Sequence, residues 1–199
     1  MQTRIGIRFV LLVAAVATIG CDRVTKQVAR ATLAGTPGRS FLADTVRLEY
    51  VENTGGFLSL GANLPSPARM WLFTIGTGIM LLALIAMAYR FVDGSWSMLG
   101  LTLFVAGGAS NWMDRVFRGS VVDFLNVGIG PVRTGIFNMA DAAIMIGVCT
   151  LMLAQLGRNG TGLNSKVRAA ALPDKPQPTR RVRRRPLRQG GGHPEERRG

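Results

Sequence analysis

Four apolar blocks constrain what this 199-residue chain can fold into. A transmembrane helix needs roughly 20 predominantly apolar residues, because each residue adds only about 1.5 Å to its length. Each block is long enough to span, given the tilt and mismatch that bilayers accommodate. The blocks lie at about residues 5–21, 70–89, 96–112 and 136–155. The sequence therefore predicts an all-α membrane protein with four transmembrane helices.

The first block also resembles a secretory signal sequence, because it follows Arg4 and has an apolar middle. Its end at Gly20-Cys21 is similar to a lipobox, the site at which bacterial lipoproteins are lipidated and cut. Ile19 is a poor match to such a box, and three more apolar blocks follow. An uncut first helix is therefore favoured, and a lipoprotein modified at Cys21 stays an alternative.

If every apolar block crosses the membrane, three sites with basic residues lie on the same side of it. Arg4 and Arg8 precede the first block, Arg90 lies between the second and third, and a basic tail follows the fourth. By the positive-inside rule these sites are cytoplasmic. The sequence thus predicts a multi-pass protein of the bacterial inner membrane with both termini in the cytoplasm.

Residues 31–67, between the first two blocks, have a different pattern. Apolar and polar residues alternate from Thr45 to Glu52, which is typical of a half-exposed strand. Strands with open edges do not lie in hydrocarbon. We therefore expect a small periplasmic β platform within a four-helix transmembrane domain of residues 1–156.

The tail, residues 157–199, holds twelve Lys and Arg against three Asp and Glu, nine of the thirteen net positive charges. Its Pro, Gly and Arg content predicts disorder, because such a segment buries too little apolar surface to offset ordering entropy. The tail is expected to contact anionic lipid headgroups on the cytoplasmic leaflet. Nucleic acid is not an expected partner, since no aromatic residues are interleaved for stacking.

In this topology the polar residues in or beside the predicted spans gather at one membrane face. Ionisable groups in a span are costly unless paired or hydrated, which makes them candidates for function. Spacings of three or four residues put both members of each pair on one side of a helix. The pairs are Asp22 with Lys26, Asn111 with Arg115, and Asn138 with Asp141.

Asp22 and Lys26 are interpreted as an ion pair that supports a helix end. Headgroup contact is an alternative for Arg115, whose long side chain can reach the membrane surface. Asp114 points elsewhere on the same helix and is interpreted as a surface residue.

Asp141 lies about one turn inside an apolar helix with no cation beside it in sequence, and Asp123 is flanked by apolar residues. Two carboxyls held close together do not both ionise easily, so one keeps a proton and the other acts as a base toward a shared water. These are the properties of an aspartic protease. We therefore favour a carboxyl dyad.

Other chemistries have weaker signals. The one histidine, His193, lies in the tail, and no Cys/His cluster has metal-ligand spacing, so neither a metal nor a cofactor is expected. A peptidase using Lys26 with Ser59 or Ser110 stays open by spacing alone. A small transporter or channel with boundary carboxylates is a further alternative.

Five motifs, in this order and with these separations, closely resemble the lipoprotein signal peptidase family, bacterial signal peptidase II. The resemblance covers about residues 5–156. The motifs are Asp22-x-x-x-Lys26, Asn53-Thr54-Gly55, Gly107-Gly108-Ala109-Ser110-Asn111-x-x-Asp114-Arg115, Val121-Val122-Asp123-Phe124 and Phe137-Asn138-Met139-Ala140-Asp141.

The resemblance implies that Asp123 and Asp141 are a catalytic dyad that cuts prolipoproteins before a diacylglyceryl-modified cysteine. It also implies that six further residues line the pocket or support it. A monomeric enzyme is expected. The supporting residues are Asn53, Asn111, Arg115, Asn138, Asp22 and Lys26.

Two further expectations concern single positions. Asp123 is expected on a loop containing Gly119, Gly128 and Gly130, so that its position would vary as substrate enters. The family usually has Gly where this chain has Ser110, and Gln is common where it has Arg23.

The lipoprotein alternative makes a prediction about mass. Cleavage and lipidation at Cys21 would remove the first twenty residues and add a lipid. We expect intact-mass spectrometry of the membrane-extracted protein to find the N-terminus uncut and Cys21 unmodified. A shortened, lipidated chain would contradict the predicted first span.

Overall fold

A computed structural model describes residues 2–56, 59–91 and 94–170. The chain forms two compact units, Met1–Thr161 and Gly162–Gly199. The first unit contains the sheet and every candidate site residue discussed below. In the second, residues 162–170 are described and are helical. The cluster of arginines at 180–185 in the predicted tail lies outside the described residues.

Helices dominate the first unit. Among the residues that the structure describes, three stretches are long and apolar enough to cross a membrane, namely Ile5–Leu33, Ser66–Ala88 and Met139–Gly157. The helices are α1 (Gln2–Leu33), α2 (Ser66–Arg69), α3 (Thr77–Phe91), α4 (Ser95–Arg118) and α5 (Met139–Ala170), with a π-helical stretch at Met70–Gly76 between α2 and α3. The protein is therefore mostly helical and of membrane type.

The third predicted span, residues 96–112, lies in α4, which is not among the three apolar stretches. The buried positions of α4 are small or polar, and such residues lower its hydropathy. They are Ser97, Gly100, Ala106, Gly107, Gly108, Ser110, Asn111 and Asp114. Four membrane crossings thus stay a prediction.

Two helices are longer than predicted. α1 continues past residue 21 to Leu33, where Ala29 and Leu33 pack against Val122 and Phe124 in a small core. α5 continues to Ala170, so residues 157–170 of the predicted disordered tail are helical. Once a helix is nucleated, each added residue gains a hydrogen bond, which favours such extension. Residues 171–199 lie outside the described part.

The small antiparallel sheet has the strand order β1-β2-β3-β4. The strands are β1 (Arg39–Phe41), β2 (Val46–Asn53), β3 (Val121–Ile129) and β4 (Val132–Arg133). β2 lies within one residue of the predicted strand at each end, although most of its residues are half-buried rather than alternately buried and exposed. Its principal partner, β3, comes from beyond α4 in the chain, so the sheet is not confined to residues 31–67.

Asp123 was expected on a loop, and that expectation is wrong. It lies inside β3, with Val51 of β2 as its register partner. Val, Phe and Leu around it favour strand, and pairing with β2 fixes the backbone. Gly119 ends α4 with a φ of 73°, and Gly130 turns β3 into β4 with a φ of 56°.

Glycines let α4 and α5 approach closely. A Cβ on Gly147 would lie 2.6 Å from the Gly100 carbonyl oxygen and 2.7 Å from the Phe104 nitrogen. A Cβ on Gly107 would lie 2.5 Å from the Ala140 carbonyl oxygen. Small residues at such crossings allow backbone contact between membrane helices.

Gly147→Ala is expected to destabilise the protein, because the added methyl group meets backbone atoms that cannot rotate away. A loss of about 1–3 kcal/mol follows from overpacking. Thermal unfolding in detergent measures it. Gly20→Ala is the matched control, since nothing lies within 4 Å of its Cβ position, and this variant should unfold at or above the wild-type temperature. Equal melting temperatures for both variants would contradict the close crossing.

Candidate active site

Buried polar side chains converge where α1, α4, the sheet and the start of α5 meet. Every predicted site residue is buried except Arg115, which is half-buried. Buried polar groups need hydrogen-bond partners. The cluster consists of Asp22, Lys26, Asn53, Ser110, Asn111, Asp114, Asp123, Asn138 and Asp141.

Asp123 on β3 is held by two amides. Its Oδ2 accepts a 2.9 Å hydrogen bond from Asn53 Nδ2, and its Oδ1 accepts one of 2.6 Å from Asn138 Nδ2. Asn53 Oδ1 accepts the Gly55 N–H at 2.9 Å, so the nitrogen end of that amide faces the carboxyl. Both oxygens of Asp123 therefore have donors although the residue is only 1% exposed.

Asp141 lies in the first turn of α5, where a carboxylate also interacts favourably with the helix dipole. Its Oδ2 accepts the Asn138 backbone N–H at 3.2 Å, and its own N–H donates to Asn138 Oδ1 at 2.9 Å. Its Oδ1 accepts a 2.8 Å hydrogen bond from Asn111 Nδ2 on α4. The helix start and α4 thus fix this carboxyl.

Asn138 contacts both carboxyls. Its side-chain nitrogen bonds Asp123, and its backbone nitrogen bonds Asp141. Its side-chain oxygen is occupied by the Asp141 N–H, which fixes the amide orientation. The two predicted carboxyls are therefore brought together on either side of one residue.

Burial raises the pKa of the Asp123 carboxyl above its ordinary value. Hydrogen bonds from Asn53 and Asn138 and the positive charges of Lys26 and Arg115 act in the opposite direction and limit the rise. Asp123 therefore keeps its proton to a higher pH than an exposed aspartate would. A carboxyl that holds its proton in this way is suited to acid–base catalysis.

Arg115 on α4 bonds the loop that follows β2. Its Nη2 and Nε donate to the Gly55 carbonyl oxygen at 2.6 and 3.2 Å, and its Nη1 donates to the Asn111 carbonyl oxygen at 3.3 Å. The guanidinium thereby ties the Asn53 loop to the helix that carries Asn111.

Lys26 lies at the centre of a second group of charges, which is connected to Asp141 through Asn111. Its ammonium is 2.7 Å from Asp22 Oδ2, the predicted ion pair, and donates to Asn111 Oδ1 at 2.7 Å. Asp22 also accepts the Ser110 hydroxyl at 2.7 Å and the Ala140 N–H at 2.9 Å. Asp22 thus contacts α1, α4 and the start of α5.

The interpretation of Asp114 as a surface residue is wrong. It is 1% exposed, and its Oδ2 accepts a 2.8 Å hydrogen bond from Lys26. Its Oδ1 lies 2.8 Å from Nη1 of Arg23, a contact that the sequence did not suggest. The three-residue spacing between Asn111 and Asp114 could have indicated a shared helix face.

Chemically, the site offers two buried carboxyls with neutral amide donors. Among the described residues, no group of three or more His, Cys, Asp or Glu side chains is placed to hold a metal ion. His193 lies outside them. The arrangement can transfer protons to and from a bound water or peptide.

Comparison with known proteins identifies the family of this chain. Residues 14–157 match the family model described as signal peptidase (SPase) II. The lipoprotein signal peptidase of Streptococcus pneumoniae is 31% identical over 150 residues, 75% of this chain and 94% of that protein. The one from Mycolicibacterium smegmatis is 34% identical over 193 residues, 88% of this chain and 76% of that protein.

A solved structure is also similar. It is described as a bacterial membrane enzyme structure by the in meso method at 2.3 Å resolution. Its TM-score is 0.67 at 27% sequence identity, and the match covers 76% of this chain and 90% of that one.

Helices of membrane type, a small sheet and a cluster of buried polar side chains define a membrane-embedded protein. Within that class, the chain belongs to the signal peptidase II family and is a bacterial membrane protease. The resemblance identified from the five motifs is thereby confirmed.

Removing the Asn53 amide should raise the pKa of Asp123 further, because its hydrogen bond favours the ionised carboxyl. In Asn53→Ala we expect a rise of about one unit, measured by a ¹³C NMR titration of the labelled carboxyl. Asn126→Ala is the matched control. Asn126 lies on β3, like Asp123, but its amide bonds Thr134 and Arg133 instead of Asp123. An unchanged or lower pKa in Asn53→Ala would contradict the assigned contact.

Proposed function

We propose that this protein is an aspartic endopeptidase that removes signal peptides from prolipoproteins. It cleaves before the diacylglyceryl-modified cysteine, and Asp123 and Asp141 form the catalytic dyad. The observation that carries this proposal is Asn138, which hydrogen-bonds both buried carboxyls and keeps them together. The names of the family and of its relatives supply the substrate class.

In the proposed reaction a water lies between the two carboxyls, one protonated and the other ionised. The ionised carboxylate takes a proton as the water oxygen attacks the scissile carbonyl carbon. The protonated carboxyl stabilises the developing oxyanion by donating to it. The tetrahedral intermediate then collapses and the C–N bond breaks. The amine of the lipid-modified cysteine leaves with the proton that the first carboxyl took from the water, and the second carboxyl recovers the proton that it gave to the oxyanion. No cofactor enters this scheme.

The neighbouring polar residues have supporting roles in this scheme. Asn53, Asn111 and Asn138 direct their amide nitrogens at the carboxyls, and this supports a preorganised site. Arg115 would exchange the Gly55 carbonyl for a substrate carbonyl, or for the oxyanion, by a charge-assisted hydrogen bond. Asp22 and Lys26 support the site from α1.

For the membrane arrangement we propose four crossings, with α4 as the third. The small and polar face of α4 is buried, which supports a helix surrounded by other helices rather than by lipid. Both termini are cytoplasmic and the dyad is at the periplasmic face of the inner membrane, as the basic flanking residues indicate. The sheet then forms the periplasmic platform.

The partners follow from the same scheme. The substrates are diacylglyceryl-modified prolipoproteins, and the basic tail binds anionic lipid headgroups. Both carboxyls and the amides that bond them come from one chain, which supports a monomeric enzyme.

The decisive test exchanges each dyad carboxyl for an amide. Asp123→Asn and Asp141→Asn keep the side-chain shape but remove the acid–base group, so cleavage of a prolipoprotein in membranes should fall at least about a thousandfold. Asp44→Asn is the matched control, because this half-buried aspartate lies in the turn between β1 and β2 and pairs with Arg47 rather than with the site. Thermal unfolding checks that each variant is folded. Normal processing by either dyad variant would refute the proposed mechanism.

A further inference from the structure

The ammonium of Lys26 is enclosed by three acceptors. Asp22 Oδ2 and Asn111 Oδ1 lie at 2.7 Å, and Asp114 Oδ2 lies at 2.8 Å. An ammonium has three N–H groups, so each has a partner. The Lys26 side chain is only 2% exposed and therefore depends on these contacts.

The contact with Lys26 determines which end of the Asn111 amide faces Asp141. Because the ammonium is a donor only, it must meet the amide oxygen. The amide nitrogen is then directed at Asp141 Oδ1, 2.8 Å away. If Lys26 moved, the amide could rotate and bring its oxygen against the carboxylate. The direction of this amide is thus set by a charge on α1.

Arg23 completes the charge balance of this group. Asp22 and Asp114 carry two negative charges around the single positive charge of Lys26. Arg23 adds the second positive charge through Nη1, which is 2.8 Å from Asp114 Oδ1, and its Nη2 donates to the Ser110 carbonyl oxygen at 3.4 Å. Each Asp114 oxygen therefore has one cation, and Asp114 joins Arg23 to Lys26.

We propose that Arg23 and Asp114 are positioning residues of the peptidase, which hold Lys26 against Asn111 and set the charge behind the dyad. The inference rests on the proposed dyad, since Asn111 matters here through its bond to Asp141. Neither residue touches the reacting atoms. Their effect passes through one ammonium and one amide.

Other charged groups also face the dyad and must be held constant in a test. α1 contributes Asp22 and Lys26, α4 contributes Arg115, and the dyad members themselves come from β3 and α5. β2 contributes the neutral Asn53. Its neighbour Glu52 is exposed and pairs with Arg30 at 3.5 Å.

The two ends of the Arg23–Asp114 pair should shift the pH dependence of cleavage in opposite directions. Asp114→Asn leaves the group more positive and favours ionisation of the dyad, so the acid limb of kcat against pH moves to lower pH. Arg23→Gln leaves it more negative, so the acid limb moves to higher pH. Each shift is expected to be roughly half a unit. A purely structural role would not reverse the sign.

Asp114→Asn should also lower kcat by about tenfold or more with little change in KM, because a misdirected Asn111 affects the dyad rather than substrate capture. Arg23→Gln should lower kcat less, since a Gln amide can still donate to Asp114. In Arg23→Gln/Asp114→Asn the charge balance is restored, and the acid limb should return toward that of the wild type. Arg23→Lys keeps the charge and should keep the wild-type acid limb. If Asp114→Asn does not fold, the comparison of Arg23→Gln with Arg23→Lys tests whether the charge at this position sets the acid limb.

Arg30→Gln is the matched control, because it removes one cation from the same helix but from an exposed pair with Glu52. Its pH profile should equal that of the wild type. An unmoved acid limb in Arg23→Gln, or shifts of the same sign in both single variants, would overturn the inference while leaving the dyad intact. Cleavage by the Asp123→Asn or Asp141→Asn variants would instead overturn the proposed function.

Discussion

A carboxylate removed from water must find donors for its oxygens, and this requirement organises the centre of the molecule. Asp22, Asp114, Asp123 and Asp141 are all buried, and each of their oxygens accepts a hydrogen bond or faces a cation. The donors come from α1, α4, β2 and the start of α5. Since leaving any of these charges unpaired would be costly, the elements are held in one arrangement.

The four carboxylates fall into two groups with different surroundings. Asp123 and Asp141 are bonded by neutral amides and a backbone N–H, which leave their ionisation free to change. Asp22 and Asp114 instead form ion pairs with the cations Lys26 and Arg23. The first group is suited to proton transfer and the second to holding structure. Asn111 joins the two groups.

Local patterns in the sequence predicted the three apolar helices, the alternating strand β2 and the ion pair of Asp22 with Lys26. They did not place Asp123 on a strand, because its pairing with β2 joins segments far apart in the chain; its bond to Asn53 spans 70 residues. They also misplaced Asp114, whose partner Lys26 is 88 residues away. The pattern of residues on one helix face does not show which other segment of the chain packs against that face.

The bond between Asp22 and the Ala140 N–H spans 118 residues, from α1 to α5. During synthesis the first helix leaves the ribosome long before its partner exists, so the early chain holds Asp22 and Lys26 only as a pair on one helix turn. The proposed dyad is complete only once the start of α5 has been made, because Asp141 lies in the first turn of that helix. A nascent chain that stops short of α5 therefore carries Asp123 without its proposed partner, so cleavage by this mechanism has to wait until α5 has been made.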